Sequence, residues 1–132
     1  VKALSGERLQ RGARETADAL PEVSSGYPFT PHLAAYKVAD HLFLIVTEDP
    51  DEQIITVKCD PPHADALVQE YESVQPGRYL DKHHWVSIGQ GSGITATLIK
   101  DLVQGSYELV VEHMPHRERD RIYRKLDSHR PQ

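Results

Sequence analysis

Apolar residues in the first part of the chain recur at helical spacing. Leu9, Ala13, Ala17 and Leu20 fall on one face, with Glu7, Arg8, Arg11, Arg14 and Glu15 on the wetter side. Ser5 suits an N-cap and Pro21 a stop, so the spacing predicts a helix over residues 5–20. From residue 26 to residue 58 the apolar period shortens toward two and turn residues become frequent. Residues 27–29 read as a short extended piece. Residues 34–38 and 41–47 read as strands joined by a tight turn at Ala39-Asp40, and residues 53–58, "QIITVK", as a β-branched strand. Short connections between such strands predict an antiparallel meander.

Asp60 is placed to cap a second helix with Pro61 at its first position, running through Ala64, Leu67 and Val68 to about Tyr71. Residues 74–79 and 84–88 are further strand candidates, separated by a bend at 80–83. The glycine-rich stretch 89–93 reads as a loop. No lysine follows it at phosphate-loop spacing and no parallel βαβ unit precedes it. Residues 95–103 are helical, with Leu98, Ile99, Leu102 and Val103 as the buried stripe. Residues 106–114 continue that helix or restart it after Gly105. The expected order is α, three or four strands, α, two strands, α. Together these make a two-layer α+β domain whose antiparallel sheet carries its helices on one face. Residues 1–115 form that single domain. Residues 116–132 form a charged tail, helical or frayed, with Ile122, Tyr123 and Leu126 as its apolar positions.

Alternation assigns the sheet faces. Burying the most apolar area puts Tyr36, Val38, Ile55, Val57, His84, Val86 and Ile88 under the helices. Lys37, Thr56, Lys58, Trp85 and Ser87 then share the opposite, partly open face. A tryptophan between lysines suits a nucleic-acid strand, through stacking and phosphate pairing. It suits a protein ligand equally well, since tryptophan is a frequent interface anchor. The blander reading is that a loop or the tail covers Trp85 and it extends the core.

Charge sharpens this picture. The 132 residues carry a formal net charge of −5. Residues 116–132 hold six Lys/Arg against three Asp/Glu, whereas residues 1–115 hold nine against seventeen. Nonspecific DNA affinity comes largely from phosphate neutralisation, so the acidic body restricts any DNA contact to a local patch or to the tail. The acidic turn at 47–52 would repel phosphate. No stretch is long and apolar enough to span a bilayer, and none has the order of a signal peptide. With Cys59 as the only cysteine, the expectation is a cytoplasmic protein without membrane attachment.

Catalytic and metal chemistry find little support in the sequence. His83 and His84 point to opposite faces of a strand and cannot share one ion, and no second Cys/His pair stands at zinc spacing. Cys59 precedes a helix N-terminus, yet a lone cysteine at a strand end is more often a small core residue. No nucleophile, base and orienting group come together, so no enzyme activity, cofactor or metal is expected.

Five short motifs occur in order: "GYPFT" (26–30), "AYKV" (35–38), "VKCDP" (57–61), "LDKHHW" (80–85) and "SYELV" (106–110). In that order and spacing they resemble the MmcQ/YjbR-like family of small bacterial proteins, over about residues 5–115. The resemblance implies an α-βββ-α-ββ-α fold of the secretion-chaperone-like, CyaY-like kind. It also implies DNA binding through a "double wing" of hairpins. The positions matching the family pattern are Lys37, Lys58, Lys82, His84 and Trp85, which makes them the implied nucleic-acid or partner contacts. Asp81 stands where the family commonly has asparagine. Two functions follow as expectations. One is a DNA-binding module using the Lys/Trp face and the basic tail. The other is a non-enzymatic, chaperone-like module that binds a protein or peptide partner on the same face.

Overall fold

The computed structural model describes residues 4–129. Helix α1 spans Gly6–Asp18, and Ser5 caps it by accepting the Arg8 N–H at 3.2 Å. Strands β1 (Val23–Gly26), β2 (Leu33–Val38), β3 (His41–Thr47) and β4 (Ile55–Lys58) follow. Helix α2 (Pro61–Glu70), strands β5 (Val74–Pro76) and β6 (Trp85–Ile88), and helices α3 (Ala96–Glu112) and α4 (His116–His129) complete the chain. The sheet is antiparallel throughout, in the order β1-β2-β3-β4-β6-β5. This is the expected α+β architecture with four strands before α2.

Several element boundaries differ from expectation, each for a local reason. The first strand is Val23–Gly26, and residues 27–29 lie in the following loop, where Pro28 has no N–H to give a ladder. Ile54 stays outside β4. Its carbonyl accepts the Thr47 N–H at 3.1 Å and the Gln10 amide at 3.0 Å, so α1 holds the strand's approach. The β2–β3 turn is tight as predicted, with Ala39 and Asp40 both left-handed (φ 46° and 69°), the geometry of a type I′ hairpin. Helix α3 runs unbroken through Gly105. The small Ser106 side chain donates to the Phe43 carbonyl (2.6 Å) and accepts the Lys58 N–H (2.9 Å), tying the helix to β3 and β4.

A β-bulge between the paired positions Tyr36–Leu44 and Lys37–Leu42 leaves Phe43 without a partner across the ladder. Phe43 and Leu44 therefore both enter the helix-side core, where Phe43 meets Tyr107 edge to face at 5.4 Å. Tyr36, Val38, Ile55, Val57, Val86 and Ile88 line this core with Ala34, Val46 and Val74, against Leu9, Ala13, Ala17, Ile99, Val103 and Tyr107. The tail docks as α4. Ile122 is fully buried, and both Glu22 carboxylate oxygens are taken: Arg121 donates two bonds of 2.7 Å and Lys125 lies at 3.1 Å. Among the described residues no helix is long and apolar enough to cross a membrane.

Candidate functional site

The strand registers place Lys37, Lys58, Thr56, Trp85 and Ser87 on the sheet face away from the core. Across that face Ser24 pairs with Lys37 and Lys37 with Leu42, and Lys58 pairs separately with Trp85, with the bulge at Phe43 between the two sets. One row runs Gly26, Ala35, Ile45, Thr56, Ser87 and Gln75. Paired residues share a face, so alternation grouped these side chains correctly.

The expectation that this face is partly open needs correction at its centre. Ala35, Ile45, Thr56 and Ser87 are buried, and Trp85 is only 9% exposed. The cover is the β5–β6 connection. The Arg78 N–H donates to Ser87 Oγ at 3.2 Å, the Arg78 guanidinium pairs with Glu52, and the Tyr79 hydroxyl bonds Thr47 Oγ1 at 3.0 Å. Because Thr47 lies on β3, the connection crosses β6 and β4 as a strap. Under it, Thr56 and Ser87 satisfy one another through an Oγ–Oγ bond of 2.8 Å. Gly77 begins the strap because a Cβ there would sit 2.6 Å from that of Trp85.

His84 was expected on the buried side, yet it is exposed and lies just before β6. Its Nδ1 lies 2.7 Å from Asp81 Oδ2, and Asp81 Oδ1 accepts the His83 N–H at 2.9 Å. These bonds, the His83 N–H first and His84 second, hold the Asp81 carboxyl below its ordinary range. The "LDKHHW" stretch is thus a self-bonded turn that delivers Trp85 into the sheet. Asp81 serves as the acceptor that closes the turn. Lys82 is exposed on the strap and lines a different hollow, with Glu52, Gln75 and Arg78. The five family-pattern residues are therefore split. Lys37, Lys58 and Trp85 share a face, whereas Lys82 and His84 belong to the turn beside it.

The open part of the outer face lies along β1 and at Lys37, with the buried Ala35 as its floor. A hollow of about 420 Å³ there is lined by Ser24, Ser25, Gly26, Ala35 and Lys37, with Tyr27, Pro28 and Asp40 around them. Tyr27 and Phe29, in the loop at its end, are 53% and 55% exposed. The Tyr27 hydroxyl beside Glu48 is the main influence holding that carboxyl low; desolvation opposes it and Arg14 adds to it. Sequence reasoning missed these two aromatics as contacts because it read their segment only as a short extended piece. Their signal was present, since two aromatics around a proline in a turn-rich stretch have no regular element in which to bury themselves.

Cys59 packs in the helix-side core. It is 4% exposed, and burial, assisted by Asp60, pushes its thiol up to about 11. Among the described residues no group of three or more His, Cys, Asp or Glu side chains converges as a metal site would require. The hollow beside Cys59 is lined by Lys58, by the exposed acids Asp60, Asp101, Glu108 and Glu112, and by the exposed His63.

Comparison with known proteins places this geometry. The uncharacterized protein YbdF of Escherichia coli O157:H7 is 31% identical over 116 residues, which is 88% of this chain and 95% of that protein. The uncharacterized protein YjbR of Escherichia coli K12 is 32% identical over 83 residues, 63% of this chain and 70% of that one. The crystal structure of Deinococcus radiodurans protein DR2400, a DUF419 domain, superposes with a TM-score of 0.76 at 28% identity over 83% of each chain. A Pseudomonas syringae protein shares the fold with a TM-score of 0.63 at 18% identity, over 81% of this chain and 99% of its own. The YjbR family model matches residues 18–109, from the end of α1 into α3, and on that match the chain belongs to the YjbR family.

Proposed function

We propose that this chain is a non-enzymatic binding module that takes a protein or peptide partner on the open part of the outer face, along β1 and at Lys37. The observation that carries the reading is the exposed pair Tyr27 and Phe29 beside a hollow that also holds Lys37. Large aromatic side chains left in water at the rim of a sheet are the usual anchors of protein contacts. The buried, high-pKa Cys59 supports a role without nucleophilic catalysis, and a single cysteine fits a reducing compartment such as the cytoplasm.

Duplex or single-stranded DNA is the competing ligand, and two observations weigh against it. The Trp85 ring is nearly covered and has no free face for a base. In the tail, Arg121 and Lys125 are engaged by Glu22. The single Glu22 carboxylate offsets one of these two positive charges within the molecule.

The test sets a DNA titration beside a peptide selection. The protein is titrated with duplex and single-stranded DNA at low and high salt, and is used to select binders from a displayed random-peptide library. The reading expects enriched peptides whose affinity falls at least about tenfold in Phe29→Ser and Lys37→Glu, a loss of about 1.4 kcal/mol. DNA affinity that falls steeply with salt, with no peptide enriched, would replace this reading by the nucleic-acid one.

A further inference from the structure

The two edges of the sheet are not equivalent. At one edge β5 has three residues, ends at Pro76, which has no N–H, and leads into the strap. Helix α2 packs against it. At the other edge β1 is Val-Ser-Ser-Gly, with no charge and no proline. Exposed edges are normally guarded by charged side chains, proline, bulges or a covering element. The only acid flanking β1, Glu22, is already committed to Arg121 and Lys125 on α4. The unguarded edge is also the edge beside the exposed aromatics.

Backbone geometry shows what this edge offers. The Ala39 N–H donates to the Glu22 carbonyl at 3.1 Å, so Glu22 and Ala39 are a hydrogen-bonded pair. In an antiparallel ladder such pairs alternate, so Ser24–Lys37 and Gly26–Ala35 are bonded in the same way. The N–H and C=O groups of Val23 and Ser25 therefore point away from β2, toward the open side. They form two donors and two acceptors at the two-residue repeat that an extended chain matches. On the outer face the side chain nearest this edge is the small Ser24, and Lys37 lies one strand further in. An added strand would run about 10 Å from β2, and the path from Lys37 to it crosses only Ser24.

We propose that the partner enters as an extended segment that adds a seventh strand along β1. Its acidic side chain lies over Ser24 toward Lys37, and its apolar residues pack by Tyr27 and Phe29. This rests on the outer-face reading above and specifies the partner's conformation and chemistry. Main-chain hydrogen bonds supply the attachment, and side chains at alternate positions supply the selectivity.

The probe is a short fluorescein-labelled peptide that alternates valine and threonine around a central glutamate, measured by anisotropy against the full chain. N-methylation of alternate amides on the pairing edge should weaken binding at least about tenfold, and N-methylation on the opposite edge should not. Lys37→Glu should reverse the preference between this peptide and its lysine counterpart. Ser25→Pro, which removes an outward N–H at an edge where proline is tolerated, should weaken binding in parallel. Absence of binding, or indifference to both methylation patterns, overturns strand addition. If methylation is harmless while Lys37→Glu and Phe29→Ser still abolish binding, strand addition fails and the outer-face reading stands. If those variants are silent as well, both fail. Sedimentation that shows a dimer dissolved by Ser25→Pro would assign the edge to a second copy of this chain and overturn the proposal.

Discussion

The two faces of the sheet are closed by different physics. On the inner face, helices α1 and α3 seal a continuous apolar layer from Leu9 to Tyr107 without needing a specific polar bond at each position. On the outer face a short strap covers Ile45, Thr56 and Ser87, and what holds it is a set of directional bonds from Arg78 and Tyr79. Area-driven burial resists disturbance by summing many contacts, whereas a few polar bonds in water each contribute little net stability. One face is therefore the permanent core. The other is a cover that single substitutions can loosen.

The comparison breaks most sharply at the bulge. Phe43→Ala removes a fully buried ring that meets Tyr107 edge to face, and β3 is held there by its neighbours, so the cavity cannot collapse. The expected loss is about 3–5 kcal/mol, read from urea unfolding midpoints. A loss under about 1 kcal/mol would mean that the helix-side core is not what closes this fold.

The helix layer also has a charged fastening, which pH can probe. Glu22 holds α4 through Arg121 and Lys125, and these bonds, with Arg121 the largest influence, lower its pKa to about 2 from an ordinary 4.5. A depressed carboxyl contributes fully above its unfolded pKa and loses that contribution as pH falls through its folded pKa. The fastening is therefore whole at neutral pH and fades from about pH 4.5 down to about pH 2. The α4 partners are about half exposed, so screening limits the effect of Glu22→Gln to about 1–2 kcal/mol near pH 7. The gap between wild type and variant should close as the pH drops through that window. A gap that is unchanged in acid would show that the carboxylate is not the fastening group.

How far these features could be read from residues depends on what kind of order they carry. Period-three-to-four patterns placed α1, α2 and α3 because each helix buries one side; β2 and β3, buried on both faces, were placed by their apolar, β-branched and aromatic residues between turn signals. The turn at Ala39-Asp40 was readable because so few residues connect the strands. That Lys37, Lys58 and Trp85 share a face was readable because alternation fixes which side chains lie on each side of a strand. A loop over Trp85 was the blander of the readings the sequence offered, and it is the one the strap meets; the bonds that hold the strap were not readable, because Arg78 and Tyr79 find Ser87, Glu52 and Thr47 only after the sheet has assembled. β1 escaped because Val-Ser-Ser-Gly has almost no apolar alternation, and His84 was assigned to the wrong side because β6 begins one residue later than its pattern suggests. The tail's charges looked available in the sequence. Their partner, Glu22, lies 99 residues from Arg121 and holds a left-handed backbone, a pairing that no local pattern signals.

The smallest expected effect is the most specific to the outer face. Tyr79→Phe keeps the ring and deletes the hydroxyl that reaches Thr47 Oγ1. At 38% exposure the ring gains little from burial, so the cost in global stability should be only about 0.5–1 kcal/mol. The strap should nonetheless open more often, and Trp85 reports it, being the chain's only tryptophan and nearly covered. Acrylamide quenching of its fluorescence should rise in Tyr79→Phe with the unfolding midpoint almost unmoved. Phe43→Ala, measured well below its own midpoint, should leave quenching nearly unchanged, because its loss is felt on the opposite side of the sheet. Equal quenching changes in both variants would mean that the two faces open as one unit. A rise confined to Tyr79→Phe would mean that the strap moves on its own, and that the area of outer face open to a partner is set by a few hydrogen bonds.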